Sequence, residues 1–213
     1  MNNLRAAAVG LGLAVLLIPR SGHSQPTGYV SNLGQTSAGS EATGSDLWLA
    51  QTFITGINPQ GYILNSVDLL MDASSGSPSG FGVSIYSSLN PNNNLGSLNG
   101  LDPSAGGIFT YTASGLMLSP STFYYVVVTA ATPVEQGAYN WSVENTQPLL
   151  VGLEEWVVPI ITWRSTTGSG WNDERQYRFQ LAIDATAVPE PATLALGGLG
   201  LVCLGFWQHR HGK

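Results

Sequence analysis

Carboxylate chemistry is the only catalysis that the side chains of this chain leave open. Glu135, Glu144, Glu154, Glu155, Asp173 and Glu174 are the acids that a two-carboxylate hydrolysis of a glycosidic bond would draw on. Glu154 and Glu155 are adjacent, so on a strand they face opposite sides and pair poorly. Asp173-Glu174-Arg175 follows Gly170-Trp171 and reads as a polar turn. All six read more simply as solvated surface carboxylates. The three histidines are His23, His209 and His211, all close to the ends, so the central region has none for a Ser-His-Asp relay or for zinc. Lys213 is the only lysine, which removes a Ser-Lys pair and a Schiff base. The single cysteine, Cys203, lies in a C-terminal apolar run, so the central region has no thiol nucleophile, disulfide or cysteine metal site. Asp68, Asp72 and Asp102 are hard-oxygen residues near turns that suit calcium, but no twelve-residue EF-hand pattern surrounds them. The expectation is a protein without enzyme activity, with no cofactor and no metal site, calcium being the one ion its oxygens suit.

Binding has a better case, through aromatic rings. Trp48, Trp141, Trp156, Trp163 and Trp171 all fall in the central region. A sheet that displays such rings on one face can stack on sugars. Trp141 and Trp163 lie within alternating strands and read as core. Trp171, between Gly170 and Asn172, is the best exposed candidate, with Trp48 and Trp156 behind it. A nucleic-acid partner is excluded by charge. The chain carries a formal net charge of −6, and its central basic residues are only Arg164, Arg175 and Arg178.

The ends position whatever the centre does. Arg5 precedes an apolar run from Ala6 to Ile18, closed by Pro19, with Gly22 and Ser24 as small residues beyond it. This is the pattern of a secretory signal peptide over residues 1–24, cut near Ser24-Gln25. At the other end Val188-Pro189-Glu190-Pro191 breaks the chain. An uncharged run from Ala192 to Trp207 follows, and Arg210 and Lys213 close it with His209 and His211 beside them. The run is apolar around its whole circumference, unlike a surface helix. It reads as a membrane helix over 192–207 with a basic stop that keeps the C-terminus cytoplasmic and the domain outside. About 16 residues at 1.5 Å rise give roughly 24 Å, short of the ~30 Å hydrocarbon core.

Residues 25–186 then form one exported domain, long enough for a substantial core. Charged residues are 9% of the chain, and Gly, Ser, Thr and Asn fill the polar positions. Strands are predicted at Leu47–Thr55, Tyr62–Asp72, Phe81–Tyr86, Ile108–Thr112, Thr122–Ala130, Ala138–Glu144, Trp156–Arg164 and Gln176–Asp184. Within Tyr62–Asp72 the alternation puts Ile63, Asn65, Val67 and Leu69 on one face. Asn90–Asn94 is a turn cluster. Pro159 makes its strand an edge strand or a bulged one. Eight or nine short strands with turns between them argue for an all-β fold, an antiparallel β-sandwich of jelly-roll-like type.

Two resemblances rest on these residues. The order Pro-Glu-Pro, apolar run, basic end resembles the PEP-CTERM sorting tail of bacterial surface and matrix proteins. That resemblance implies processing by an exosortase-type membrane protease near Pro189-Glu190-Pro191, and an association with exopolysaccharide. The central region carries Ala50-Gln51-Thr52-Phe53-Ile54-Thr55-Gly56, Tyr62-Ile63-Leu64-Asn65-Ser66-Val67 and Val83-Ser84-Ile85-Tyr86. Leu118 to Val127, Tyr139-Asn140-Trp141-Ser142 and Phe179 to Ala185 follow in order. This order resembles the choice-of-anchor R domain, a bacterial surface module, over nearly all of the mature chain. It implies an exported β-domain of no assigned activity and supplies no catalytic residues.

Overall fold

The computed structural model of the chain describes residues 27–146 and 149–190. The signal peptide, the membrane helix over 192–207, Pro191, Arg210 and Lys213 lie outside the described residues. The strands are β1 (Thr27–Ser31), β2 (Gly39–Thr43), β3 (Trp48–Ile54), β4 (Tyr62–Gly76), β5 (Gly82–Tyr86), β6 (Asn94–Leu98), β7 (Gly107–Leu118) and β8 (Phe123–Thr129). They continue as β9 (Gly137–Glu144), β10 (Leu150–Val151), β11 (Val157–Val158), β12 (Thr162–Ser165), β13 (Asn172–Glu174), β14 (Arg178–Phe179) and β15 (Leu181–Ala187). Two short 3-10 turns, Pro91–Asn93 and Leu153–Glu155, are the only helical elements among the described residues. None is long and apolar enough to cross a membrane.

Every pairing is antiparallel, and the strands form two sheets. The first runs β1-β15-β4-β9-β14, with β2 on β9 and β7 on β4. The second runs β10-β11-β3-β8-β5-β6, with β12 on β3 and β13 on β12. The inner faces meet in one apolar core. Leu49, Phe53, Tyr124, Val126 and Val128 come from the second sheet; Leu64, Val67, Leu69, Leu181 and Ile183 come from the first. β8 (FYYVVVT) shows why the sheets form: β-branched and aromatic side chains fit a pleated, half-buried surface. Trp156 stacks between Tyr29 at 5.0 Å and Phe53 at 5.9 Å, with Tyr62 edge-on at 4.9 Å.

Three local features depart from a simple alternation. In β4, Tyr62 and Leu64 point inward, then Val67, Leu69 and Met71 do. The expected single face of Ile63, Asn65, Val67 and Leu69 is therefore corrected. A bulge at Asn65, seen against both β7 and β15, shifts the phase by one residue. The Pro159 strand is the bulged one: β11 and β12 both pair with β3 and flank an unpaired stretch at Pro159–Ile161. The last strand changes partner at Gln180. β14 lies on β9 and β15 lies on β4. At that break the Gln180 N–H donates to the Ser142 carbonyl (2.8 Å), and its carbonyl accepts from Leu70 N–H (3.1 Å) and Trp141 Nε1 (3.0 Å).

A polar network crosses the core there. Arg178 donates from Nε to Glu144 Oε1 (2.5 Å), from Nη1 to the Val158 carbonyl and from Nη2 to the Thr146 carbonyl. Asn32 donates to Glu144 (3.3 Å) and to the Phe179 carbonyl (3.0 Å), and accepts from Leu181 N–H (2.7 Å). Gln51 accepts from Phe179 N–H (2.8 Å) and donates to the Pro159 and Ile161 carbonyls freed by the bulge. Burial alone would raise the Glu144 carboxyl, but hydrogen bonds from Arg178, Thr146 and Asn32 outweigh it and hold the carboxyl below its ordinary value. A carboxyl lowered by folding stabilises fully above its unfolded value of about 4.3, and that stability is lost as pH falls through the folded value. Glu144→Gln is expected to remove this acid dependence and to destabilise by about 3–5 kcal/mol at neutral pH, since it strands a buried guanidinium. Denaturant titrations between pH 3 and 7 check both. An unchanged acid limb would assign the dependence to other carboxylates.

Candidate functional site

The outer face of the second sheet is where aromatic side chains reach solvent. On β3 the inward residues are Leu49, Gln51 and Phe53, which leaves Trp48, Ala50, Thr52 and Ile54 facing out. Cross-strand register extends these positions sideways. Trp163 pairs with Ala50, and Ala50 with Val127; Thr52 pairs with Tyr125, and Tyr125 with Tyr86. Trp171, on the strand side of the β12–β13 loop, joins them. Ala50, Tyr86 and Val127 form the floor of this second cluster, and Trp48, Leu89, Tyr125, Trp163 and Trp171 pack on it half-buried. Tyr125 and Trp163 meet edge-on at 6.3 Å.

Each indole is fixed by its N–H. Trp48 donates to the Ser45 carbonyl (3.2 Å), Trp163 to Thr52 Oγ1 (2.9 Å) and Trp171 to the Gly168 carbonyl (3.0 Å). The loop that carries Trp171 folds onto Trp48 through Gly168. That residue has φ +73°, and a Cβ there would stand 2.5 Å from the Trp48 ring, so only glycine fits. Ser165 Oγ closes the loop on the Ser169 carbonyl (2.6 Å). The result is an apolar surface whose indole donors are already used, suited to stacking by those rings.

The expected residues separate here. Trp48 and Trp171 come together on this face. Trp156 does not join them: it is fully buried in the aromatic core, so it offers no face to a ligand. Trp163, expected in the core beside Trp141, stands on the outer face instead, whereas Trp141 is buried on Phe179 at 4.3 Å. Tyr125 was not singled out by sequence. Both faces of β3 and β8 are apolar, so alternation alone cannot say which one is the core.

The sorting motif starts where the last strand stops. Ala187 ends β15 opposite Tyr62. Val188 is half-buried and pinned at both backbone groups: its N–H donates to the Gly61 carbonyl (3.0 Å), and its carbonyl accepts from Asn58 Nδ2 (3.1 Å). Gly61 makes that turn, with φ +76° and the Leu118 carbonyl 2.4 Å from where a Cβ would lie. Tyr62 locks the turn from below. Its hydroxyl accepts from Asn58 N–H (3.0 Å) and donates to Glu154 Oε2 (2.9 Å). Pro189 and Glu190 then stand exposed.

Several of the acids are taken up by neighbouring side chains. Glu144 is spent on Arg178, Glu154 on Tyr62, and Asp173 on Arg175 at 2.7 Å. Asp102 holds Gly80 N–H (3.0 Å) and Tyr139 hydroxyl (2.8 Å). Asp68 lies in mid-strand, not near a turn, and faces outward beside Asp184 of β15, a partner that sequence did not indicate. No group of three or more His, Cys, Asp or Glu converges among the described residues. Burial, then the Asp68 charge, raises the Asp184 carboxyl above its ordinary value. A carboxyl raised by folding weakens the fold once ionised. Asp184→Asn should therefore raise the melting temperature at pH 7, with the gain fading below the ordinary carboxylate value of about 3.9. Thermal melts of both proteins at pH 7 and pH 3.5 test this; an equal gain at both would assign it to packing.

Comparison with known proteins adds the class. Residues 187–210 match the PEP-CTERM protein-sorting motif. That motif marks a protein that is exported, sorted by exosortase and anchored in the membrane at the cell envelope. The match covers the tail alone. A search of the curated proteins found no match for the chain.

Proposed function

We propose that the chain is a non-enzymatic protein of the bacterial surface or extracellular matrix. The folded domain is its working part, and the tail delivers it. The observation that carries this reading is the exit of the sorting motif. The domain ends in a pinned Val188, and the next two residues are presented to solvent. A membrane protease of the exosortase type would meet the motif at Pro189 and Glu190, which stand free of the sheet. Cleavage there would leave β15 intact and free the domain for the matrix. The all-β domain between the two end segments supports the choice-of-anchor R likeness in class, and the spent carboxylates favour a role without catalysis. Replacing Pro189-Glu190-Pro191 with alanines is expected to leave export intact and abolish C-terminal processing in the native host, read by intact mass of the membrane and medium fractions. Unchanged processing would overturn the sorting role assigned to these residues.

The aromatic face favours a second reading, a carbohydrate-binding surface, with exopolysaccharide as the ligand class that the tail's likeness suggests. Trp48, Trp163 and Trp171 supply flat apolar rings, and Thr52 and Tyr125 lie beside Trp163. Under this reading Trp171→Ala weakens binding to the host's own exopolysaccharide by about tenfold, the scale of one lost ring contact of ~1 kcal/mol or more. Trp156→Phe leaves binding unchanged, because Trp156 is buried. Affinity electrophoresis of the full chain decides; binding insensitive to Trp171 would remove the aromatic face from consideration.

A further inference from the structure

The end of the sandwich from which the tail departs carries exposed apolar side chains. Four segments meet there: Thr55–Gly61, Ser119–Thr122, Gly152–Trp156 and Val188–Glu190. Backbone hydrogen bonds knit them together. Thr55 N–H donates to the Thr122 carbonyl, Ser121 N–H to Gly56, Ile57 N–H to Glu154 and Val188 N–H to Gly61. Around this rim Ile57, Met117, Phe123, Val151 and Leu153 are each more than half exposed, five of the nine large apolar side chains that are exposed among the described residues. Leu153 tops the β10–β11 hairpin beside Ile57. Phe123 and Val151 end a row of four apolar residues in register across the second sheet, Val151-Val157-Ile54-Phe123. Met117 pairs with Ile63 on the first sheet. Leu101, by contrast, lies at the opposite end, where Asp102 holds Gly80 at the start of β5.

We infer that this rim rests on the lipid bilayer, so that the domain docks on the membrane by its own apolar end. The inference rests on the reading of the tail as a membrane anchor, and it adds how the domain sits. Chain length leaves little choice of distance. Val188 is fixed to the domain, and the apolar run begins at Ala192. Four residues at full extension span about 14 Å. The headgroup layer on one side of a bilayer takes up roughly 5–7 Å of that. The rim is held at the interface, and its exposed apolar side chains are of the kind that enters the boundary between headgroups and acyl chains. Charge selects the lipid. The four rim segments contain Glu154, Glu155 and Glu190 and no Lys or Arg. Electroneutral headgroups fit this surface, and an anionic one would repel it.

The test uses the full chain in vesicles of phosphatidylethanolamine and phosphatidylcholine. An environment-sensitive fluorophore is placed on the native Cys203, or, in a Cys203→Ser background, on Phe123→Cys, Leu153→Cys or Leu101→Cys. All three added positions are exposed, so the fold tolerates them. The expected result is that labels at 123 and 153 are several-fold less quenched by iodide than the label at 101, and are quenched by a nitroxide carried on the lipid headgroup. Adding phosphatidylglycerol should weaken that protection. A label at Cys203 open to iodide would overturn the membrane anchor and the docking with it. With Cys203 buried in lipid, equal iodide quenching at 101, 123 and 153 would overturn the docking alone. Protection at 123 and 153 without nitroxide quenching would mean that a second copy covers the rim, and would equally overturn it.

Discussion

The buried contact between Arg178 and Glu144 is the constraint around which the sandwich is arranged. The domain has few charges, and it places two of them in its interior. Such a pair gains little over well-packed apolar residues and costs much when one partner is lost. Its consequence here is registration. Arg178 reaches Val158 of the second sheet, while Glu144 and Phe179 belong to the first. Asn32 and Gln51 complete the suture by taking the Phe179 backbone from both sides. A slip of one residue would turn the inward side chains outward and would break these hydrogen bonds as well. The network sits where the last strand leaves β9 for β4.

From that point both the tail's exit and the aromatic face follow. Gln180 redirects the chain so that β15 runs along β4 to Tyr62, and Val188 meets the turn at Gly61. Gln51 uses its side chain on the bulge at Pro159–Ile161, which lets β11 and β12 both remain on β3. β12 then brings Trp163 beside Ala50, and the loop to β13 brings Trp171 over Trp48. The two extra residues at the bulge thus set where Trp163 sits along the aromatic face: they move it from the Trp48 position of β3 to the Ala50 position and keep it on the same side.

What the sequence told was set by periodicity and punctuation. Strands stand at all eight predicted places, two of them split (at Pro159–Ile161 and at Gln180), because β-branched and aromatic runs between Gly, Pro and Asn turns have few other ways to fold. The short strands β1, β2, β6, β10 and β13 were not legible. They are two to five residues long, too short for alternation to show, and each pairs with a neighbouring strand that holds it in place. Asn94–Leu98 follows the expected turn at Asn90–Asn94 and simply pairs back onto β5. The phase error in β4 has a clear cause: a bulge at Asn65 leaves no mark in composition. The site divided the same way. Pro189 and Glu190 were readable as a breaker, and they are exposed. The ranking of the tryptophans was not readable, because β3 and β8 are apolar on both faces and burial is decided by the opposing sheet. Trp156 stood among the binding candidates, yet Glu154 and Glu155 before it form a tip that turns it inward onto Tyr29 and Phe53.

The route of the chain also bears on what the tail can do to the domain. β15 is paired on both sides, with β1 and with β4, and its C-terminal residue leads directly to the pinned Val188. A pull on the tail acts along β15. The ladder bonds stand perpendicular to that direction, so the load is shared by all of them rather than breaking one at a time. An anchor attached to an edge hairpin would instead peel its strand. Attachment through an interior strand, at the end where the turns are already bonded to one another, lets the domain be held at the envelope without the linkage reaching its core.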